Sequence, residues 1–184
     1  SDLAYGVFLR WTHKWNDKLD FFVDGSVSKY KFEVAETKTL DEDSFTKAFA
    51  GVGLKYKFNQ KHSIDTSVGI GESFLLNSEN STELKIDKVV IPSMSFSGSH
   101  ILASFKNGYG LQGTWRAGGL LPTSQSGFDT EFGTYWNVGL GSYYKQKNKI
   151  FNIAIGYGQR SLKTDNIEQT NKDISISAGI GFEF

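Results

Sequence analysis

Serine and histidine residues near position 100 are the ones whose types and spacing could support catalysis. Hydrolysis by a serine needs its hydroxyl beside a histidine base, with an acidic or amide group to orient that histidine. Ser97 and Ser99 precede His100, which is the one histidine in the middle of a candidate strand. Successive side chains of a regular strand point to opposite faces, so both serines would project away from His100. With no orienting acid evident, we expect no catalytic residues and no enzyme.

Composition excludes several other functions. The 184 residues include no cysteine, three histidines, and 20 basic against 20 acidic residues. Without thiols there is no disulfide framework, thiolate chemistry or structural zinc site, and without a basic excess there is no electrostatic footprint for nucleic acid. Asp41, Glu42 and Asp43 could hold a divalent cation, but such a run is usually a solvated loop. We therefore expect no metal, no cofactor and no nucleic-acid partner.

Strands are the elements that must position these side chains. Apolar and polar residues alternate with period two in nine segments of about 10 to 14 residues, and no useful stretch repeats at the helical 3.6. The longest uncharged stretch, 89–105, is serine-rich and contains Pro92, so no helix could span a bilayer. In the fifth segment the apolar face changes between Phe96 and Ile101, which predicts either a bulge or an extension of the strand beyond the apolar belt. The pattern predicts one all-β antiparallel domain over residues 1–184.

Short and long connections alternate along the chain. The short turns lie around Asp17, Lys61, Asn107 and Asn148 and are net basic, whereas the other connections are longer, polar and acidic. Alternation of this kind is typical of an up-and-down barrel with two chemically different rims. Within the third turn, Gly108 is predicted to take the left-handed conformation of a hairpin.

Paired glycines distinguish the polar face of the strands from a surface in water. Glycine is depleted in strands because it costs conformational entropy and packs nothing. Repeated pairs at corresponding positions suit a crowded, sharply curved interior, so the apolar faces are expected to point outward, toward lipid. The pairs are Gly51 and Gly53, Gly69 and Gly71, Gly139 and Gly141, Gly156 and Gly158, and Gly179 and Gly181.

The carboxyl end carries a more specific signal. An alternating apolar stripe ends in Gly179-Ile180-Gly181-Phe182-Glu183-Phe184 and resembles the closing strand of bacterial outer-membrane β-barrel proteins. The resemblance implies a small porin-like transmembrane barrel of eight to ten strands in a Gram-negative outer membrane, in contact with its lipids and lipopolysaccharide. It also implies recognition by the barrel-assembly machinery during insertion. The assembly signal would consist of Ile176, Ile180, Phe182 and Phe184.

The strand count leaves three alternatives open. Nine segments alternate, whereas bacterial single-chain barrels have an even number of strands. Either a first strand lies upstream of Ser1 and the barrel has ten, or two segments form one strand and it has eight. The third alternative is that the chain is the carboxyl-terminal part of a larger barrel.

Register places charged side chains opposite each other on the inward face. A turn centred on Asp17 would put Arg10 opposite Asp24, and a turn centred on Lys61 would put Lys57 opposite Asp65. The expected polar network of the lumen comprises Arg10, Asp24, Lys57, Asp65, Arg116 and Glu183. Aromatic residues near the short turns would form the girdle at that interface. They are Trp15, Phe58, Phe105, Tyr109, Tyr144 and Phe151.

These features favour a non-enzymatic outer-membrane scaffold or surface-interaction protein. Its lumen would be at most narrow and polar, passing only small solutes, and no surface partner is identifiable. One alternative is a lipid-modifying or proteolytic outer-membrane barrel that uses His100. Another is a soluble ligand-binding barrel of the calycin type, in which the apolar stripes would line the pocket.

Overall fold

The computed structural model describes residues 3–31, 39–40, 44–78, 83–125, 128–147, 149–164 and 168–182. Those residues form strands and no helix, and none of them belongs to a helix that could cross a membrane. In chain order the strands are β1 (Leu3–Lys14), β2 (Leu19–Lys31), β3 (Thr39–Leu40), β4 (Ser44–Lys57), β5 (His62–Ser78), β6 (Glu83–Ser104), β7 (Tyr109–Leu120), β8 (Thr123–Gln125), β9 (Phe128–Thr130), β10 (Gly133–Gln146), β11 (Lys149–Lys163) and β12 (Glu168–Phe182).

Nine long strands form a strongly curled antiparallel sheet in the order β1-β2-β4-β5-β6-β7-β10-β11-β12. Each long strand pairs with the long strand before it in the chain, as in an up-and-down meander. The short strand β3 pairs in parallel with the beginning of β6, and β8 pairs with β9. The predicted all-β antiparallel fold and its nine strands are confirmed. The end strands β1 and β12 both run toward the rim with the short turns.

The first hairpin has the predicted register. Lys14 lies opposite Asp20 and Arg10 lies opposite Asp24, as a turn centred on Asp17 requires. The turn is closed by Asn16, whose Oδ1 accepts hydrogen bonds from the backbone N–H groups of Lys18 and Leu19 at 2.9 Å each. The side chain therefore replaces the backbone partners that the turn lacks.

The predicted register of the β4–β5 hairpin is wrong by two residues. Lys57 lies opposite Ser63, and it is Lys55 that lies opposite Asp65. The reason is that the turn is centred on Gln60 rather than Lys61. The side chain of Asn59 fixes this position, since its Oδ1 accepts the N–H groups of Lys61 and His62 at 2.7 and 3.0 Å.

A bulge in β6 is confirmed, but it lies after Ile101 rather than before it, and the left-handed conformation of Gly108 in the next turn is confirmed. The pairing of β6 with β7 shifts between Ile101 and Ala103, so Leu102 is the extra residue of a bulge, with 60% of its surface exposed. Beyond the bulge, Gly108 has a φ of 85°, in the left-handed region that favours glycine.

The two faces of the sheet differ sharply in charge. Across the central segments of the nine long strands, which we call the outer band, every side chain on the outer face is uncharged, and most are large and apolar. Every Asp, Lys and Arg of the same segments lies on the inner face, because directly opposed residues share a face throughout the registers. The segments are 5–11, 19–27, 48–56, 64–70, 92–98, 109–117, 136–144, 151–157 and 174–180.

The strands β5 and β6 extend beyond their neighbours as a long hairpin. Pairing of β4 with β5 ends at Gly71, and pairing of β6 with β7 begins at Ser93, but β5 and β6 stay paired from Glu72 and Val90 outward. We call residues 72–78 and 83–90 the distal hairpin. It is held to β12 by Gln169, whose Oε1 accepts the backbone N–H of Leu76 at 2.9 Å.

The distal hairpin buries apolar side chains on both of its faces. On one face, Leu75 and Val89 pack with residues from β6, β7 and β11. On the other face, Ile86 packs with Phe45 of β4, while the rings of Phe45 and Phe74 lie 5.4 Å apart. The two clusters together contain the buried apolar side chains Phe45, Leu75, Ile86, Val89, Ile91, Leu120 and Leu162. The hydrophobic core therefore lies at the rim with the long loops.

Glycines on the inner face make room for aromatic rings. A Cβ atom at Gly69 would lie 2.6 Å from Cζ of Phe49 and 2.7 Å from the carbonyl oxygen of Ala50. The same ring also crosses Gly51 and Gly71. The glycines therefore allow Phe49 to lie flat across β4 and β5, which a row of larger residues would prevent.

Substituting Gly69 tests this packing. We expect Gly69→Ala to lower the free energy of unfolding by about 1–3 kcal/mol, because both the ring and a backbone oxygen would have to move. The control is Gly25→Ala, where the nearest atom to the new Cβ is 4.0 Å away. Denaturant titration of both variants measures the difference, and equal midpoints would contradict this role for Gly69.

Candidate functional site

Arg10 is the centre of an ion-pair network on the inner face. Its Nε and one terminal nitrogen donate to the two carboxylate oxygens of Asp24, at 2.7 and 2.9 Å. Its other terminal nitrogen donates to Oδ2 of Asp65 at 2.7 Å. The guanidinium also lies over the ring of Phe22, 3.9 Å from the centroid. One side chain thus joins β1 to β2 and, across β4, to β5.

Burial makes this network different from a surface ion pair. The side chain of Arg10 is 24% exposed, that of Asp24 only 3% and that of Asp65 12%. Charges removed from water in this way need close partners of opposite sign and well-aligned hydrogen bonds. The planar guanidinium supplies both, since it can bind one carboxylate with two parallel bonds and still donate to another.

The other predicted members of the lumen network are placed differently. Lys57 donates to Oδ1 of Asp20 at 2.6 Å instead of pairing with Asp65. Arg116 lies on the inner face between Ser97 and Asn137, its partners in register on β6 and β10. Glu183 lies outside the described residues. Of the predicted network, the structure therefore brings together Arg10, Asp24 and Asp65.

Five of the six predicted girdle residues are exposed near the short turns, and Tyr144 is partly exposed. The rings of Tyr109 and Tyr144 stack with their centroids 4.5 Å apart, and Tyr144 lies 6.4 Å from Phe151. Aromatic side chains therefore surround part of this rim. Trp15 and Phe58 lie in the first two short turns. Phe105 directly follows β6, at the start of the third short turn.

The proposed assembly signal is only partly described. Ile176 and Ile180 lie on the outer face of β12, and 80% of the surface of Ile176 is exposed. The side chain of Phe182, and Phe184 as a whole, lie outside the described part of the chain. The two isoleucines keep the alternation expected for a closing strand.

The serines Ser97 and Ser99 and the histidine His100 lie on opposite faces of β6. The Oγ of Ser99 accepts a hydrogen bond from Gln112 on the inner face. His100 lies on the outer face, where its Nε2 accepts from Trp115 at 3.0 Å and its Nδ1 lies 3.2 Å from Nδ1 of His62. The predicted separation of the serines from His100 is confirmed. The acidic run Asp41 to Asp43 lies outside the described residues, and those described contain no cluster of three potential metal ligands.

Sequence reasoning missed the distal hairpin and Gln169. The available signal was the loss of alternation in Phe74-Leu75-Leu76 and in Val89-Val90-Ile91, where consecutive apolar residues indicate burial on both faces. The partner of such a segment cannot be found from periodicity, because it lies on strands that are distant in the chain.

No protein-family model matches the sequence, and comparison with curated proteins gives no match.

Removing the Arg10 guanidinium tests whether the inner network stabilises the fold. Arg10→Gln leaves Asp24 and Asp65 without their cation in a buried setting, so we expect the free energy of unfolding to fall by about 3–5 kcal/mol.

The matched control is Lys14→Gln on the same strand. Lys14 donates to Asp17 at 2.7 Å, and this hydrogen bond holds the pKa of Asp17 below its usual value, but both groups are exposed. Exposed pairs contribute little. Denaturation midpoints that fall equally in the two variants would show that the burial of the Arg10 network has no special effect.

Proposed function

We propose that this chain is an integral β-barrel protein of a bacterial outer membrane. The observation that carries the proposal is the outer band, in which nine successive strands present no charged side chain on the outer face. Each segment extends about 20–26 Å along its strand at about 3.3 Å per residue. This length is of the same order as the apolar band of transmembrane barrels, about 25 Å.

The inverted distribution of polar groups supports the same assignment. A protein in water normally keeps its charges outside and its apolar side chains inside. Here the buried ion pairs lie within the curl of the sheet, whereas Val68, Ile153 and Ile176 lie on its exposed face. A bilayer would cover that face, and the aromatic side chains near the short turns would lie at its polar boundary.

The proposed role is that of a non-enzymatic scaffold or surface-interaction protein. The inner face carries paired charges rather than a nucleophile with a base, and the distal hairpin fills the rim with the long loops. Lipids and lipopolysaccharide would contact the outer band, and the assembly machinery would bind β12. A calycin-like barrel would need its apolar stripes to line a pocket, whereas they lie on the opposite face of this sheet.

Detergent dependence tests the membrane assignment. We expect the chain to fold only with detergent or lipid, and the unheated protein to migrate faster than the boiled protein in a denaturing gel. A folded monomer that stays in solution without detergent would overturn the proposal in favour of a soluble barrel.

A charge placed in the outer band sharpens this test. Ile155→Lys should destabilise the folded protein in lipid by about 2–4 kcal/mol if residue 155 lies near the bilayer midplane. The control is Phe132→Lys, because Phe132 is equally exposed, 56% against 54%, but lies outside the long strands. Equal denaturation midpoints for the two variants in lipid vesicles would contradict burial of the band in a bilayer.

Shortening the distal hairpin tests whether it closes the lumen. Residues 75–87 would be replaced by Asn-Gly between Phe74 and Lys88, which are opposed in the β5–β6 register. We expect little or no conductance from the native protein in planar bilayers and measurable channels from the shortened variant, provided that it keeps its heat-dependent gel shift. Identical conductance would show that the hairpin does not control passage.

A further inference from the structure

His62 and His100 form a pair of imidazoles on the outer face, at the short-turn end of the β5–β6 pairing. The two residues are directly opposed in the register. Their Nδ1 atoms lie 3.2 Å apart, and their ring centroids lie 5.4 Å apart. His62 is exposed and His100 partly exposed, so the pair is accessible to solvent. The function proposed above does not use these two side chains.

The backbone holds both histidines in place. The N–H of His62 donates to Oδ1 of Asn59 at 3.0 Å, which ties the residue to the turn that precedes it. On the opposite strand, the N–H of Ile101 donates to the carbonyl oxygen of Lys61 at 2.8 Å, so the pairing continues one residue beyond the two histidines. Ligands on a rigid backbone bind without the cost of ordering a loop.

Hydrogen bonds fix the positions of the protons in this pair. The indole Nε1–H of Trp115 can only donate, and it donates to Nε2 of His100 at 3.0 Å. A neutral His100 therefore carries its proton on Nδ1 and donates it to Nδ1 of His62. The two rings thus share a single proton between their facing nitrogens.

The spacing of the facing nitrogens matches that of two ligands on one metal ion. Zn–N bonds are about 2.0–2.1 Å long, so two imidazole nitrogens at a tetrahedral angle lie about 3.3–3.4 Å apart. The observed separation of 3.2 Å is within about 0.2 Å of this range. Imidazole suits zinc, nickel and copper, whereas magnesium and calcium prefer oxygen ligands.

We infer that His62 and His100 form a binding site for a divalent transition-metal ion of the zinc class, held through the two Nδ1 atoms. The ion takes the place of the shared proton, and His100 then carries its proton on Nε2, so the hydrogen bond from Trp115 is lost. The described residues contain no group of three potential ligands. Water therefore completes the coordination shell, and the ion can exchange with solvent. The site does not require the membrane assignment, so either proposal can fail without the other.

Titration of the folded protein with zinc chloride tests this site, on protein that carries no histidine tag. Magnesium chloride is the reference, because Mg²⁺ prefers oxygen ligands. Isothermal calorimetry measures the affinity and the stoichiometry, and denaturant titration measures stabilisation by the metal. We expect one zinc ion to bind per chain and to raise the denaturation midpoint, and magnesium to do neither.

Three histidine variants assign the binding to this pair. His62→Gln and His100→Gln should each weaken the zinc affinity by about tenfold or more, since even outer-shell partners of metal ligands contribute about that much. The matched control is His13→Gln, which removes the third histidine of the chain. His13 lies on β1 and stacks on Trp11, with the ring centroids 5.8 Å apart. We expect this control to bind zinc like the native protein.

Trp115→Phe tests the position of the proton. This variant keeps an aromatic ring but removes the donor to His100, so Nε2 is free to carry the proton that metal binding requires. We expect its zinc affinity to rise by about threefold or more, since partners beyond the ligands tune metal affinity. In nitrogen–proton correlation spectra of the native protein, the indole signal that Trp115→Phe lacks should shift when zinc is added.

Three results would overturn the proposal. The first is the absence of any response to zinc beyond that to magnesium. The second is an equal loss of affinity in His13→Gln, which would show that zinc binds to histidines without regard to their pairing. The third is an unchanged affinity in Trp115→Phe, which would show that the ion does not use Nδ1 of His100. Failure of the detergent experiment would leave the zinc result standing, because these measurements need only folded protein.

Discussion

Alternation along the nine long strands sends every charged side chain of their central segments to the inner face of the curled sheet. Charges collected in this way are removed from water, so each needs a partner within the interior. Arg10 meets this requirement by binding Asp24 and Asp65 together, and Lys57 meets it through Asp20. The same constraint leaves the outer face of these central segments without charge, and the proposed membrane assignment depends on that consequence.

The apolar core is small and lies at one end of the sheet. Apolar side chains of the long strands mostly face outward, so they cannot build a core within the curl. The distal hairpin supplies one instead, because its alternation breaks down and both of its faces become apolar. Leu75, which is completely buried, contacts one wall of the sheet while Ile86 contacts the other. The short-turn half of the interior is held by ion pairs and the long-loop half by hydrophobic packing.

Local features were predictable from the sequence, and contacts between distant strands were not. Period-two alternation locates the strands, because it depends only on neighbouring residues. The change of apolar face indicates a bulge in β6 but places it too early, since the register shifts only after Ile101. The Arg10–Asp24 pair follows from one turn, whereas the partner of Lys57 was missed because that turn is centred one residue earlier. The contact of Arg10 with Asp65 depends on the curvature of the sheet, which periodicity does not encode.

Gln169 has a consequence for the order in which the protein folds. Every long strand pairs with its predecessor, so the sheet can grow by adding one hairpin at a time, with short loops to close. The hydrogen bond from Leu76 to Gln169 joins residues 93 positions apart. This hydrogen bond can form only after the last strand has been added, whereas the apolar partners of Leu75 and Phe74 lie on earlier strands, of which β11 is the last. Until β11 has been added, Leu75 lacks its partner Leu162 and is more accessible to solvent and to other chains, which makes that interval the stage most exposed to aggregation.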